Sequence, residues 1–420
     1  MGLIGCGGMG RRHISGYLKL RMHYNDVELI SVCDVHKDVA DAAIKPIYES
    51  GLNKPKIYSN YSDLIASDNL DGVAIVTSTP MHHKIAIEAM NSGLHVITEK
   101  PMGLTMKACR LMEESVKSNN KILAVAENYR RDPINRLSKA ILDEGILGDL
   151  YFTLDIGLVS SASAVMHSTV WRAKKNQAGG VVLDAGVHNA DMLLYLMGPA
   201  ETVYAETGVF ESKRKLLSMN DVAPRLAGMY GHRREPGFDI GDEVIQDAVD
   251  TGFALIRFES GAIGQLVITD VSHGQNTSIS NITGSNGTLF RSRSRSGEPI
   301  KIVLKNGEEI SGDKILELIP DFSLDELTIK LWDGYNRIGS YDLDFLETDS
   351  RILAYEYLDW IRAIEKGIYP EVGVLEGKNA LGLAYSIVES GISKTKVKIS
   401  DVISGKINSY QKDIDISEGI

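Results

Sequence analysis

Leu3-Ile4 runs straight into Gly5-Cys6-Gly7-Gly8-Met9-Gly10, and a helical stretch extends from Arg11 to about Tyr24. Glycines at the spacing G-x-G-x-x-G permit a tight turn, close approach of a pyrophosphate, and close packing of helix on strand. The pyrophosphate then rests on the amides at the helix N-terminus. The residues beyond that helix strengthen the motif. Val27 to Cys33 reads as a second buried strand, and Asp34 ends it, 24 residues past Gly10. A carboxylate there accepts from both ribose hydroxyls of NAD and repels the extra phosphate of NADP. His36 and Lys37 offset part of that repulsion, so the reading favours NAD and leaves NADP open. Only four residues precede Gly5. A buried strand usually has about five or six, which predicts a native start upstream of Met1.

A further strand, Gly72 to Val76, opens into Thr77-Ser78-Thr79-Pro80-Met81-His82-His83, and a helix from Lys84 to Ser92 comes next. The apolar run Leu94-His95-Val96-Ile97 then ends in Thr98-Glu99-Lys100-Pro101. A strand ending this way delivers an ionisable side chain to the carboxyl edge of a sheet, where open α/β sheets bind ligands. Lys100 is therefore the first candidate for chemistry. A helix over Thr105–Asn119 and a strand over Ile122–Ala126 complete the alternation of strand and helix. That pattern predicts a right-handed parallel sheet covered on both faces, a dinucleotide-binding domain over residues 1–127. The cofactor candidates are Gly5, Gly7, Gly8, Met9, Gly10, Asp34, Thr77, Ser78, His82, Glu99 and Lys100. Thr77 and His82 read equally well as caps of the next helix, and Glu99 as a structural ion partner.

Composition narrows the function classes. A chain of 420 residues suggests two domains, and 24% charged with 43% hydrophobic residues is the profile of a globular protein. No apolar run approaches the roughly 20 residues that span a bilayer. The N-terminus carries no secretory pattern. Three cysteines, Cys6, Cys33 and Cys109, make no disulfide framework and point to the cytoplasm. A net charge of -11 argues against a nucleic-acid partner. The basic runs Arg291-Ser-Arg293-Ser-Arg295 and Lys213-Arg214-Lys215 read as exposed loop charges. Ten histidines are present, but His82-His83, His167 and His232 lack ligands at metal spacing, so no metal is expected.

Residues 128–420 open with Asn128-Tyr129-Arg130-Arg131-Asp132-Pro133 and a helix from about Ile134 to Glu144. Asp184 and His188 are four apart, which on one helix puts them on one face, a carboxylate beside an imidazole it can orient. Gly179-Gly180 before them and Gly186 between them allow close backbone approach. Asp191 reads as a supporting contact. Tyr129 and Arg130, which follow the strand that closes the first domain, and Trp171 with Arg172 are the candidate substrate contacts, the latter pair reading equally well as a buried tryptophan with a paired arginine. After Pro199 the pattern turns period-two: Glu201–Gly208, Gly252–Glu259, Ala262–Thr269, Ile279–Gly284, Gly287–Arg291 and Ile300–Leu304 read as strands. Ser212 to Gln246 is a long charged insertion, open to reading as a lid, an oligomer contact or a plain surface loop, the last favoured. Helices are predicted over Arg351–Lys366 and Asn379–Gly391.

Together these motifs resemble the Gfo/Idh/MocA family of NAD(P)-dependent oxidoreductases. The glycine fingerprint, the Thr/Pro segment, Glu99-Lys100-Pro101, Trp171-Arg172, Ala178-Gly179-Gly180, Asp184-Ala185-Gly186-Val187-His188 and Asp191 match in order. The resemblance implies an α/β Rossmann domain followed by an α+β domain with a large, mostly antiparallel, open-faced sheet. It implies Lys100, Asp184 and His188 as the catalytic set, and hydride transfer between nicotinamide and a secondary alcohol or ketone of a sugar or polyol. An uncovered sheet face would bury itself in a second copy, so a homo-oligomer, dimer or tetramer, is expected. Two alternatives share the fold: a glycosidase that retains NAD, and a non-catalytic sensor of NAD and sugar.

Overall fold

The computed structural model describes residues 1–67, 69–177, 179–230 and 237–420. Ala178 of the predicted glycine motif, and residues 231–236 of the charged insertion with His232, lie outside the described residues.

The first sheet is built from β1 (Gly2–Ile4), β2 (Ser31–Cys33), β3 (Lys56–Tyr58), β4 (Gly72–Ile75), β5 (His95–Glu99) and β6 (Leu123–Ala126). All pairings are parallel, in the order β3-β2-β1-β4-β5-β6. Sequence order reverses between β1 and β4, which opens a crevice at the carboxyl ends of these strands. Strand β1 is flanked by β2 and β4, and all three of its residues are buried. The second strand is shorter than its apolar run: Ile30 bonds to Met1 and Lys56 at the edge of the ladder, and residues 27–29 stay outside it. Strand β3 and the Lys37–Glu49 helix, which the sequence reading passed over, complete the half beyond β1.

The chain returns to this sheet near its end. The Phe345–Lys366 helix is capped by Asp344, whose side chain accepts from the Glu347 amide, and so starts six residues before the predicted Arg351. It lies along the Gly8–Arg21 helix so closely that a Cβ on Gly16 would meet Leu353 at 2.6 Å. Val125 N–H donates to the Val372 carbonyl at 2.9 Å, fastening the loop beyond that helix to β6.

The second sheet contains β7 (Leu150–Ser160), β8 (Ala200–Gly208), β11 (Thr251–Phe258), β12 (Ile263–Ser272), β13 (Thr277–Gly284), β14 (Gly287–Phe290), β15 (Lys301–Leu304), β16 (Glu309–Ser311) and β17 (Val397–Lys398). Their order is β16-β15-β14-β13-β7-β12-β11-β8-β17, antiparallel except at β7–β12. The Val374–Ser393 helix covers the inner face, where Ser390 Oγ accepts from the Ala205 amide at 2.9 Å. The register places Phe152, Tyr204, Phe253, Leu255, Ile263 and Ile279 together on the other face, and all are exposed. No helix among the described residues is long and apolar enough to cross a membrane.

The charged insertion is not a plain surface loop. Strands β9 (Lys213–Lys215) and β10 (Glu243–Ile245) pair as an antiparallel ribbon at its base. Lys213 and Lys215 are exposed as expected, but Arg214 is buried and donates from Nη2 to the Thr169 carbonyl at 2.6 Å. At the far end of the segment, Tyr230 lies against the glycine loop, so close that a Cβ on Gly8 would meet its ring at 2.1 Å.

Candidate active site

The turn after β1 is shaped for a dinucleotide. Gly5 sits at φ +99°, where a Cβ would come within 2.4 Å of the Val76 carbonyl oxygen, and a Cβ on Gly10 would meet the Gly5 oxygen at 2.2 Å. Those two glycines close strand on helix, while Gly7 has open space where its side chain would stand. The Gly8–Arg21 helix begins after Gly7 with no side-chain cap, which leaves its first amides to a ligand. Asp34 is held at the rim: Oδ2 accepts from the Cys6 amide at 2.9 Å and Oδ1 from the His36 amide at 3.0 Å. Each oxygen keeps a second lone pair for a ribose hydroxyl. Met9 lies beside this turn, its Sδ 3.7 Å from the Tyr230 hydroxyl. These residues fit NAD.

Two other predicted cofactor contacts, His82 and Glu99, are bonded within the protein. His82 is buried in the first turn of the Thr79–Asn91 helix, its Nδ1 3.0 Å from the Pro101 carbonyl and its Nε2 3.2 Å from that of Thr77. It ties the loops after β4 and β5 together. Glu99 is buried too: Oε1 lies 3.0 Å from His13 Nε2, and Oε2 accepts from the Lys100 amide at 3.0 Å. His13 Nδ1 continues the chain to the Tyr357 hydroxyl at 2.8 Å. The ion-partner reading of Glu99 is the one the geometry supports. Thr77 hydroxyl stays at the crevice, 3.3 Å from the Ser78 carbonyl, and Ser78 precedes the helix without capping it.

Lys100 leaves the end of β5 and crosses to the second part of the chain. Its Nζ donates to the Asp184 carbonyl at 2.7 Å and to Asp184 Oδ1 at 3.0 Å. Arg172 Nε takes the other carboxylate oxygen at 2.7 Å, and the Arg172 guanidinium stacks over the Trp171 ring at 4.3 Å. Lys100, Asp184, Arg172 and Trp171 are thus one assembly. Burial opposes ionisation of Asp184, but the two cations overcome it and hold the carboxyl well below its usual range.

The expected Asp184–His188 pair does not form. The Gly180–Asp184 helix stops and a second runs over Gly186–Met197, so the i, i+4 geometry of a continuous helix is lost at Ala185. Gly179 and Gly180 both have positive φ, and a Cβ on Gly180 would fall 2.2 Å from the Val249 carbonyl. His188 instead pairs with Glu127, one residue past β6: Nδ1 lies 2.7 and 2.8 Å from its two oxygens. Burial works against the charge of Glu127, yet His188 and Lys100 keep it ionised below its ordinary value. Glu127 therefore accepts from Nδ1–H, which leaves Nε2 as the proton-accepting atom. Burial lowers the His188 pKa, with Glu127 pulling upward and Lys100 downward. Tyr129 stacks on the imidazole, centroids 4.3 Å apart and planes within 7°. The sequence reading missed Glu127. The signal was present, since Glu127 stands at the carboxyl edge beside Glu99, whose register partner is Ala126.

Arg130 does not face the crevice. Its Nε and Nη2 donate to Asp191 at 2.6 Å each, in a buried fork. Arg130→Met strands the Asp191 carboxylate in the core and is expected to cost about 3–5 kcal/mol. Urea unfolding measures this, and an unchanged midpoint would overturn it.

The class these features define is a dinucleotide-dependent oxidoreductase with a lysine and a carboxylate-held histidine. Comparison with known proteins agrees. The Gfo/Idh/MocA family matches in both parts: the "Oxidoreductase family, NAD-binding Rossmann fold" over residues 1–127 and the "Oxidoreductase family, C-terminal alpha/beta domain" over 139–399. The chain belongs to that family. Levoglucosan dehydrogenase of Pseudarthrobacter phenanthrenivorans is 30% identical over 71% of this chain and 74% of its own. Myo-inositol 2-dehydrogenase of Thermotoga maritima is 26% identical over 96% of this chain and 99% of its own. A glycosyl hydrolase family 109 protein of Shewanella baltica is 31% identical, over only 42% of this chain and 36% of its own. Among solved structures, a levoglucosan dehydrogenase with NADH and L-sorbose superposes with TM-score 0.74 at 24% identity, covering 96% and 99% of the two chains. The protein is an NAD-dependent oxidoreductase.

Proposed function

We propose that this enzyme interconverts a secondary alcohol and a ketone on a sugar or polyol, with Lys100 and His188 at the reacting oxygen. The observation that carries the reading is that Lys100 at the end of β5 and the Glu127–His188 pair past β6 stand at the same carboxyl edge as the glycine turn after β1, with the Lys100 charge felt by both Glu127 and His188. Bound NAD(H) would supply the hydride acceptor or donor. Gly7, Gly8 and Gly10 would hold its pyrophosphate, and Asp34 its ribose. In the oxidative direction His188 Nε2 takes the hydroxyl proton, and Glu127 stabilises the imidazolium that results. Lys100 Nζ bonds the substrate oxygen and offsets its developing charge. Asp184 and Arg172 position that ammonium, while Trp171 offers a face for sugar C–H packing. In the reductive direction His188 returns the proton.

The same reading places residues 1–127 as the nucleotide unit and 128–420 as the carbohydrate and oligomer unit. It puts the protein in the cytoplasm as a dimer or tetramer joined through the outer face of the nine-stranded sheet. Both relatives named as dehydrogenases act on carbohydrates by name, which supports the substrate class.

The test is reduced-nicotinamide absorbance with a panel of inositols, aldoses, ketoses and anhydrosugars, in both directions and with both cofactors. Turnover with one stereochemical class supports the proposal. Silence with NADH bound and retained through dialysis would favour the hydrolase reading; indifference of cellular activity to Lys100 and His188 would favour a sensor. In the same assay, Asp34→Asn keeps an acceptor for the Cys6 amide but removes the charge. The ratio of kcat/KM for NAD over NADP is expected to fall about tenfold, the worth of a charged hydrogen bond. An unchanged ratio would remove Asp34 from cofactor selection.

A further inference from the structure

The basic run Arg291 to Arg295, expected to be exposed loop charge, contains three arginines with three different fates. Arg291 is buried, donating to Ser280 Oγ at 2.9 Å and Asn135 Oδ1 at 3.2 Å, beside Asp155. Arg293 remains exposed. Arg295 is turned inward by a backbone in the left-handed region, φ +65°, which a side chain adopts only when its surroundings impose it. Its amide donates to Asp132 Oδ2 at 2.5 Å, fixing the turn.

This turn carries Arg295 to the candidate site. Its guanidinium lies 5.0 Å over the Tyr129 ring, and Tyr129 is the residue stacked on His188. It also lies 5.0 Å over Phe345, whose ring is shared by Arg225 at 4.5 Å and Arg12 at 5.8 Å. Two carboxylates stand near this group, Asp132 at the Arg295 amide and Asp349. Asp349 is taken up by the Arg12 fork at 2.7 and 2.5 Å, and gives Arg295 Nη1 only a 3.3 Å contact. Arg295 Nε is buried with no hydrogen-bond partner among the described residues. No carboxylate among them lies within ion-pair distance of Arg225 or Arg293. Burial, Arg293 and Arg295 together oppose the charge on Arg225. Two guanidiniums crowded on one ring, Arg225 with no carboxylate partner among the described residues and Arg295 sharing Asp349 with Arg12, are a poor arrangement without a ligand, and a good one with a bound anion.

We propose that Arg225 and Arg295 form an anion subsite beside the Tyr129–His188 stack, so that the carbohydrate oxidised here carries a carboxylate or phosphate group. The inference rests on the reaction assigned above and names its substrate class. An anion held by Arg295 stands one ring stack away from His188, within the span of a hexose chain. The alternative source of an anion at this place is the cofactor pyrophosphate, because Arg225 belongs to the segment that lays Tyr230 on the glycine loop.

The experiment uses matched neutral and anionic sugars of gluco, galacto and manno configuration: hexoses, hexuronates, aldonates and hexose 6-phosphates. Binding to the NADH-loaded enzyme is read by calorimetry, and turnover separately. At least one anionic member is expected to bind about tenfold or more tighter than its neutral partner. Arg225→Gln and Arg295→Met are each expected to reduce that preference, with NADH affinity within about threefold of the parent. Equal binding of neutral and anionic partners overturns the subsite. So does an Arg225→Gln variant that loses NADH affinity as much as it loses sugar, since the anion is then the pyrophosphate. Anionic sugars that bind tightly but never turn over would leave the subsite standing and reject the reaction. Neutral sugars that turn over, with no competition from the anions, would do the reverse.

Discussion

Lys100→Met is expected to lower kcat by about 10²–10³-fold, the cost of losing one preorganised donor at a developing oxyanion. The substitution keeps most of the side chain's length and removes the ammonium. The contacts of Nζ set two further effects. First, Asp184 retains its Arg172 Nε partner at 2.7 Å, so the carboxylate is not stranded and the fold is expected to survive. Second, Lys100 is one of the charges that lower the His188 pKa, so its removal lets the imidazole hold its proton to higher pH. The acid limb of kcat/KM for oxidation therefore moves upward in the variant. A lysine with no part in the reaction would move that limb through its charge but leave the kcat reached at high pH near that of the parent. Steady-state kinetics across pH, with NADH binding measured in parallel, distinguishes the two. Turnover within tenfold of the parent would sink the assignment.

The local parts of this design were legible in the residue pattern, and the pairings across the chain were not. Glycine spacing, alternating strand and helix, and the Glu99-Lys100-Pro101 strand end are written within short windows, where steric rules act on neighbours. The i, i+4 reading of Asp184 and His188 failed because it assumed an unbroken helix. The two residues were brought into the site by their own signals, and their partners were exchanged: Asp184 went to Lys100, 84 residues away, and His188 to Glu127, 61 residues away. Buried polar groups must find partners somewhere, but no local rule says where. The same holds for Arg130. It is adjacent to Tyr129 in a short 3₁₀ turn, yet it points to Asp191 while Tyr129 covers the imidazole. Arg295 was hidden differently, since a left-handed backbone at an arginine has no composition signal at all. Tyr230 was missed as well: it stands in the charged insertion read as a surface loop, and it lands on Gly8.

The Glu127–His188 pair carries the second large effect. Glu127→Gln is expected to lower kcat by about 10²–10⁴-fold, the span of a general base held in the wrong tautomer or left unsupported. The carboxylate accepts from Nδ1–H and so keeps the Nε2 lone pair toward the substrate. A glutamine amide can instead donate to Nδ1, which moves the imidazole proton to Nε2 and blocks proton abstraction. The sign of the pH effect separates this from simple misfolding. Burial already lowers the His188 pKa, and Glu127 is the group that pulls it back up. Without that charge the imidazolium is less stable, so the acid limb of oxidation moves to lower pH, opposite to the shift expected of Lys100→Met. Stability is expected to respond as well, because the ionised Glu127 contributes to the fold above its unfolded pKa and loses that contribution as pH falls through its lowered value. The variant therefore shows a flatter loss of stability in acid than the parent. Parallel pH profiles of kcat/KM and of the unfolding midpoint make the measurement. An unshifted limb with kcat near that of the parent would assign the proton transfer to some other group. A limb moved downward with kcat depressed would identify His188 as the base and Glu127 as the residue that holds it in its working tautomer.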